Sequence, residues 1–170
     1  MTGYHLAQVN IARVREPPAP LSPSELAADL AIPAEAVTEQ PGFVWSLAAA
    51  QPASALHTFR LGCAEQLAAV VNLTVWESVE ALCSAVLRSD GSAFLRRRRD
   101  WFRPTDRSTN ALWWVLAGHR PDPAEAEDRV RHLRAHGATA TAFTLRLAFP
   151  PPSSPQPSSP PSPPPASAVG

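Results

Sequence analysis

Five side chains in two predicted strands are of the types needed to hold and polarise an oxygen. They are Gln8 and Asn10 near the N-terminus, and Asn72, Thr74 and Trp76 further along. A carboxamide both donates and accepts hydrogen bonds, so it can orient a carbonyl, enol or peroxide oxygen. Tryptophan adds a flat apolar wall and one N–H. Successive strand side chains point to opposite faces. Leu6, Gln8, Asn10 and Ala12 therefore share one face of a first strand over 5–14. Asn72, Thr74 and Trp76 share one face of a strand over 69–76. If these strands are neighbours and the two faces coincide, a polar-aromatic cleft results. The competing expectation is that Asn10 and Asn72 hydrogen-bond across the strands or line a wet dimer interface.

Other residues could serve such a cleft. Trp45, Trp101 and Trp114 would extend a tryptophan lining. Arg96–Arg99 fill a helical turn, so they cannot all face one way, and one of them, taken as Arg97, would suit an anionic group at the cleft mouth. The alternative for these arginines is packing on Trp101 or pairing with Asp100. His119 follows a predicted strand, and imidazole is the side-chain type best suited to acid–base work near neutrality; it would equally serve to cap the local turn. His5 starts the first strand, at the cleft rim. His132 and His136 are four apart on a predicted helix, without a third metal ligand in view. Cys63 and Cys83 form neither a metal-binding nor a redox Cys-x-x-Cys spacing, and Cys83 reads as a buried thiol.

The positioning elements follow from pattern. Ser22-Pro23-Ser24-Glu25 reads as a helix start, and Pro33 as its end or kink. After the Pro41-Gly42 turn, 43–48 reads as a strand with Phe43, Trp45 and Leu47 on one side. Residues 51–68 read as a long connection with one helical turn. Residues 78–87 form an amphipathic helix with Val79, Leu82, Cys83 and Val86 at apolar spacing. Asp90-Gly91 breaks it, and 92–102 resumes helix. Residues 110–117 are a strand whose sides are Leu112, Trp114, Leu116 and Ala111, Trp113, Val115. Residues 121–136 are a helix with Asp122 as cap, Pro123 in the first turn, Glu125–Arg129 and Glu127–Arg131 four apart, and Gly137 as stop. Residues 139–149 are a short strand or ordered arm. The order is β-α-β-β-α-β followed by a helix, an α+β ferredoxin-like plait. Aromatics on the face left free by the two main helices predict a twofold homodimer joined through its sheets, a dimeric α/β barrel.

Basic and acidic residues balance at 15 each. With no net field and no interleaved aromatic-basic surface, nucleic acid is not an expected partner. No apolar run is long enough to span a bilayer, and 1–15 lacks the pattern of a signal peptide, so the expected location is the cytoplasm. From Pro150 the chain is uncharged and rich in proline and serine. Such composition cannot build a core. The expected organisation is one domain over 4–149 and a disordered tail over 150–170.

The stretches LAQVNIARVR, PGFVWSL, VVNLTVWESVEAL, LRRRRDWF and LWWVLAGHRPDPAEAEDRVRHLRAHG resemble, in order, a bacterial family of unknown function, DUF3291. That family belongs with dimeric α/β-barrel proteins related to antibiotic-biosynthesis monooxygenases, haem-degrading monooxygenases and chlorite dismutase-like proteins. The pattern falls on Asn10, Pro41–Trp45, Asn72, Trp76-Glu77-Ser78, Arg97–Phe102, Trp113-Trp114 and Gly118–Pro121. After the helix over 78–87 the family tends to read Tyr-Arg-Ser-Gly-His, whereas this chain reads Leu87 to Gly91. A candidate haem-ligating histidine is thereby replaced by Gly91. The resemblance implies a small cofactor-independent monooxygenase-like enzyme of secondary metabolism, acting on an apolar carbonyl-rich or aromatic metabolite. Its expected catalytic residues are Asn10, Asn72, Trp76 and His119. Gln8, Trp45, Thr74, Arg97, Trp101 and Trp114 are the expected substrate contacts. The rival is a non-catalytic dimeric binding or scaffold domain; haem binding, through His5, His57 or His119, is a third.

Overall fold

The first strand, β1 (Tyr4–Arg13), is the spine of the sheet. In the computed structural model the described residues are 3–13, 38–51, 54, 56–61, 66–88 and 109–153. The expected helices over 22–37 and 92–102, and the tail from 154, lie outside them. β1 pairs antiparallel with β4 (Gln66–Trp76) on one edge and with β5 (Asn110–Leu116) on the other. The outer edge of β4 carries two short strands. β2 (Phe43–Ser46) pairs with its last residues and β3 (Leu56–Arg60) with its first. The single turn α1 (Leu47–Ala50) separates them, with the Ser46 hydroxyl as its cap. β2 and β3 thus act as one interrupted strand. The order across the sheet is β2/β3, β4, β1, β5, all antiparallel between neighbours. Helix α2 (Val79–Arg88) leads from β4 to β5, which flank β1. This is the ferredoxin-like order.

Three assignments differ from the sequence expectation. The strand expected over 43–48 ends at Ser46, with Leu47 and Ala48 in α1. β3 occupies what read as connection, and β4 starts three residues before Ala69. The LHTFR segment carries polar residues at alternate positions and gains its strand character from pairing with β4, with Phe59 buried and Thr58 and Arg60 exposed.

The sheet faces are covered differently. Ala7, Val9, Ile11, Val71, Leu73, Val75, Ala111, Trp113 and Val115 form one face. Helix α3 (Pro123–His136) lies on it through Ala126, Val130 and Leu133, a stripe at helical spacing. Its ends are built as the sequence predicts. Asp122 accepts from the Glu125 N–H at 2.8 Å, and Gly137, at φ 72°, donates its N–H to the Leu133 carbonyl. Glu125–Arg129 and Glu127–Arg131 stand 3.6 and 3.7 Å apart. The other face carries Leu6, Trp76 and Leu112 under Leu82 and Ala85 of α2. Residues 138–149 form an ordered arm rather than a strand. Phe143 exchanges backbone hydrogen bonds with Leu112, closing the free edge of β5, and its ring joins the α2 side. The tryptophans of β5 that motivated a sheet-to-sheet dimer are thus met within the chain: Trp113 lies under α3, and Trp114 against the arm.

The Pro41-Gly42 turn docks β2 against the start of α2. Gly42 has φ 78°, and its carbonyl accepts from the Glu77 N–H at 2.8 Å. A Cβ at Gly42 would stand 2.5 Å from the Ala81 Cβ, whereas one at Gly118, at φ 90°, meets open space. Left-handed strain costs an alanine about 1–2 kcal/mol, and overpacking about 1–3 more. Urea denaturation should therefore show Gly42→Ala losing about 2–5 kcal/mol and Gly118→Ala only the strain part, about 1–2. Equal losses would mean that the contact with α2 is not tight.

Candidate functional site

Residues paired across antiparallel strands point to the same side of the sheet, so the register arranges the α2 face in rows. Trp76, Leu6 and Trp114 form one row across β4, β1 and β5. Thr74, Gln8 and Leu112 form the next, and Asn72, Asn10 and Asn110 the third. The faces that the sequence could treat only separately do coincide. The face grades from aromatic, under α2, to carboxamide at the far end.

A directed chain of hydrogen bonds links the first two rows. The Trp76 indole, 2% exposed, donates to the Thr74 hydroxyl at 2.9 Å. The Thr74 hydroxyl donates to Gln8 Oε1 at 3.3 Å. An indole N–H can only donate, so the hydroxyl accepts from it and turns its own proton to Gln8. Gln8 is then held by its oxygen, and its NH2 is its remaining donor group. Phe43 meets the Trp76 ring edge-on at 5.5 Å, fixing it from the β2 side. Asn10 and Asn110 are half-buried and Asn72 is exposed. Among the described residues no hydrogen bond links these three side chains to each other, so cross-strand bonding does not account for Asn10 and Asn72.

Some expected site residues lie elsewhere. Trp45 was expected beside Phe43. A bulge between them sets Phe43 opposite Trp76 and Trp45 opposite Val75, so Trp45 packs into the α3-side core. His119 is also off the carboxamide face. Its Nε2 is 2.7 Å from Glu125 Oε2, while Glu125 Oε1 accepts from the Trp113 indole at 2.8 Å. Trp113 pairs with Ala7 on the α3 face, so His119 belongs to a separate cluster at the N-terminal end of α3. His5, opposite Val115, shares that face. His132 meets the Thr139 hydroxyl at 2.9 Å, and His57 sits edge-on to Phe59. Cys83 is half-buried rather than buried. Arg97, Trp101 and Gly91 are outside the described residues.

Trp114 lies on the expected face, with a partner the sequence did not indicate. Its indole donates to the Phe149 carbonyl at 2.8 Å, and Phe143 stands between the two rings' positions, 6.4 Å from Trp114 and 5.9 Å from Phe149. The arm therefore closes the aromatic end of the face. At the α2 start, the Ser78 hydroxyl accepts from the Ala81 N–H at 3.2 Å. The Glu80 carboxyl is held below its ordinary pKa by a bond from its own backbone N–H and by one from Ser78. Phe43 and Asn110 are the face residues that sequence reasoning missed. Asn110 has the same strand parity as Leu112 and Trp114, which was the available signal.

Thr74→Val keeps the side-chain shape but leaves the buried Trp76 N–H unpaired, a loss of about 1–3 kcal/mol. Thr74→Ser should recover most of it. Thermal or urea denaturation of the pair checks this, and a valine variant as stable as wild type would show that the chain carries no weight.

The fold and face define an antiparallel ferredoxin-like domain with a polar-aromatic surface beside its crossover helix. The chain belongs to the DUF3291 family, a domain of unknown function, whose model matches residues 5–159. No curated protein matches it in sequence at a significant level. Among solved structures it is similar to SnoaB, a cofactor-independent oxygenase from Streptomyces nogalater, in a mutant form. That similarity has 18% identity, covers 70% of this chain and 96% of the other, and has a TM-score of 0.39. It is also similar to a monooxygenase from the gene ActVA-Orf6 of Streptomyces coelicolor, in complex with nanaomycin D. There the identity is 18%, the coverage 72% and 93%, and the TM-score 0.34.

Proposed function

We propose that the α2 face binds a small apolar, carbonyl-rich or aromatic metabolite, and that the protein is a cofactor-independent monooxygenase-like enzyme which oxidises, rearranges or cyclises it. The observation that carries this reading is the Trp76–Thr74–Gln8 chain beside the carboxamide row. It presents fixed and free amide donors next to an aromatic wall, the combination that stabilises negative charge developing on a carbonyl or enol oxygen. Asn10 and Asn72 would hold that oxygen, Gln8 would orient it, Trp114 would flank the ring, and Trp76 and Thr74, both buried, would fix Gln8 from behind. Arg97, as a partner for an anionic group, and Trp101, as a ring contact, complete the proposed set, and both lie outside the described residues. His119 is left out, because Glu125 holds it on the other side of the sheet.

Screening a metabolite library by native mass spectrometry, followed by turnover assays on each ligand retained, tests the enzymatic reading. Asn10→Ala should lower turnover by about a hundredfold, as loss of one oxyanion donor does. Ligands that bind without turnover, together with an Asn10→Ala variant of unchanged behaviour, would favour the second reading, a non-catalytic small-molecule-binding domain. One observation supports that second reading: among the described residues, the rows of this face hold no carboxylate, imidazole or guanidinium.

The reading includes a homodimer. Its support is exposed large apolar side chains, among them Leu116 at the end of β5 and Leu145 and Leu147 on the arm, each 42–56% exposed. Light scattering at micromolar concentration should give twice the chain mass, and a monomer mass would reject the dimer.

A further inference from the structure

We infer that Asn110 is a third positioning residue of this face, and that the asparagine row reads a ligand with hydrogen-bonding groups spaced one strand apart. This deepens the proposed small-molecule site and rests on it. Asn110 is the register partner of Asn10, which is in turn the partner of Asn72. The three carboxamides therefore stand side by side on β5, β1 and β4, all facing the same way.

Asparagine is depleted in strands, because it competes for backbone hydrogen bonds and packs poorly on a pleated surface. Three in one row call for a compensating role. Amide-to-amide bonding along the row would supply a structural one, but no such bond joins them. The contrast with the adjacent row is direct. There Gln8 is already held by Thr74, while among the described residues no side-chain hydrogen bond occupies the three asparagines. Asn10 and Asn110 are half-buried, so a ligand that reached them would shed little water from the amides.

The spacing narrows the ligand. Neighbouring strands are about 4.8 Å apart. Two oxygens on adjacent ring carbons are too close to meet two neighbouring amides, whereas two oxygens across one six-membered ring are suitably separated. The ring body would then lie over the Thr74–Gln8–Leu112 row, towards Trp114. The chemical class is a flat ring with oxygens at opposite positions.

The test uses 2,3-dimethyl-1,4-naphthoquinone, whose ring alkene is blocked against thiols such as Cys83, and 2,3-dimethylnaphthalene, which lacks the two oxygens. On titration into the full chain, the quinone should shift the side-chain amide resonances of Asn10, Asn72 and Asn110 and bind more tightly than the hydrocarbon. Asn110→Ala should weaken quinone binding about three- to tenfold, the worth of one hydrogen bond, and leave hydrocarbon binding unchanged. Asn110→Asp, of the same shape but without the N–H donors, should weaken it at least as much, and it decides the question if the alanine variant fails to fold. Wild-type quinone affinity in both Asn110 variants, with Asn10→Ala still impaired, overturns the role of Asn110 while the site survives. Equal binding of quinone and hydrocarbon by the wild type overturns the oxygen-reading row itself, and failure to bind either overturns the site with it.

Discussion

The register between β1 and β4 is the constraint on which the rest depends. Because strand side chains alternate with a period of two, a slip of one residue would send Gln8 and Asn10 to the α3 face and bring Ala7 and Val9 into their place. The observed pairing of Leu6 with Trp76 prevents this. It puts Leu6, Trp76 and Leu112 together under α2 and puts the valines and Ile11 under α3. A slip would strand both sets in the wrong environment at once. The same hydrophobic requirement that fixes the fold therefore aligns the carboxamides, none of which contributes to the core.

Adjacent tryptophans on β5 tie each cover to the sheet. Trp113 and Trp114 differ by one position and so point to opposite faces. Each carries one N–H that burial obliges it to place. Trp113 gives its proton to Glu125 on α3, where Arg129 also stands over the ring at 5.9 Å. Trp114 gives its proton to the Phe149 carbonyl at the end of the arm. Arg129 joins the two covers, since it also donates to the Thr141 carbonyl at 3.2 Å. The helix and the arm after it are thus anchored by directed bonds as well as by apolar contact.

What could be read in the sequence was what local rules decide. The ends of α3 follow from Asp122, Pro123 and Gly137, whose effects act within one turn. The two sides of β1, β4 and β5 follow from strand parity. What could not be read was set by distant partners. β3 exists because β4 is long enough to pair with it, and nothing within LHTFR demands it. Strict alternation from Phe43 puts Trp45 on the wrong side, because one inserted residue at a bulge reverses it. Asn110 passed unremarked because its meaning lies in standing beside Asn10, a relation between strands a hundred residues apart. His119 read as an acid–base candidate because its type and place at a strand end suited one. Its partner Glu125, six residues on, turns it to the far face.

The division of chemistry between the two faces bears on mechanism. The titratable side chains His119, Glu125 and Arg129 cluster on the α3 side, where they hold the helix and the arm. The described rows of the α2 face offer amides, a hydroxyl and aromatic rings. Such groups do not change protonation near neutrality, so they cannot remove a proton from an unactivated carbon. They can lower the energy of an oxyanion once it forms, and they can hold a ring against a wall. Reactivity on these described rows would therefore come from the substrate, through a carbonyl or phenol acidic enough to lose its proton without a strong base, or from a charged group brought by another part of the chain, as Arg97 is proposed to be.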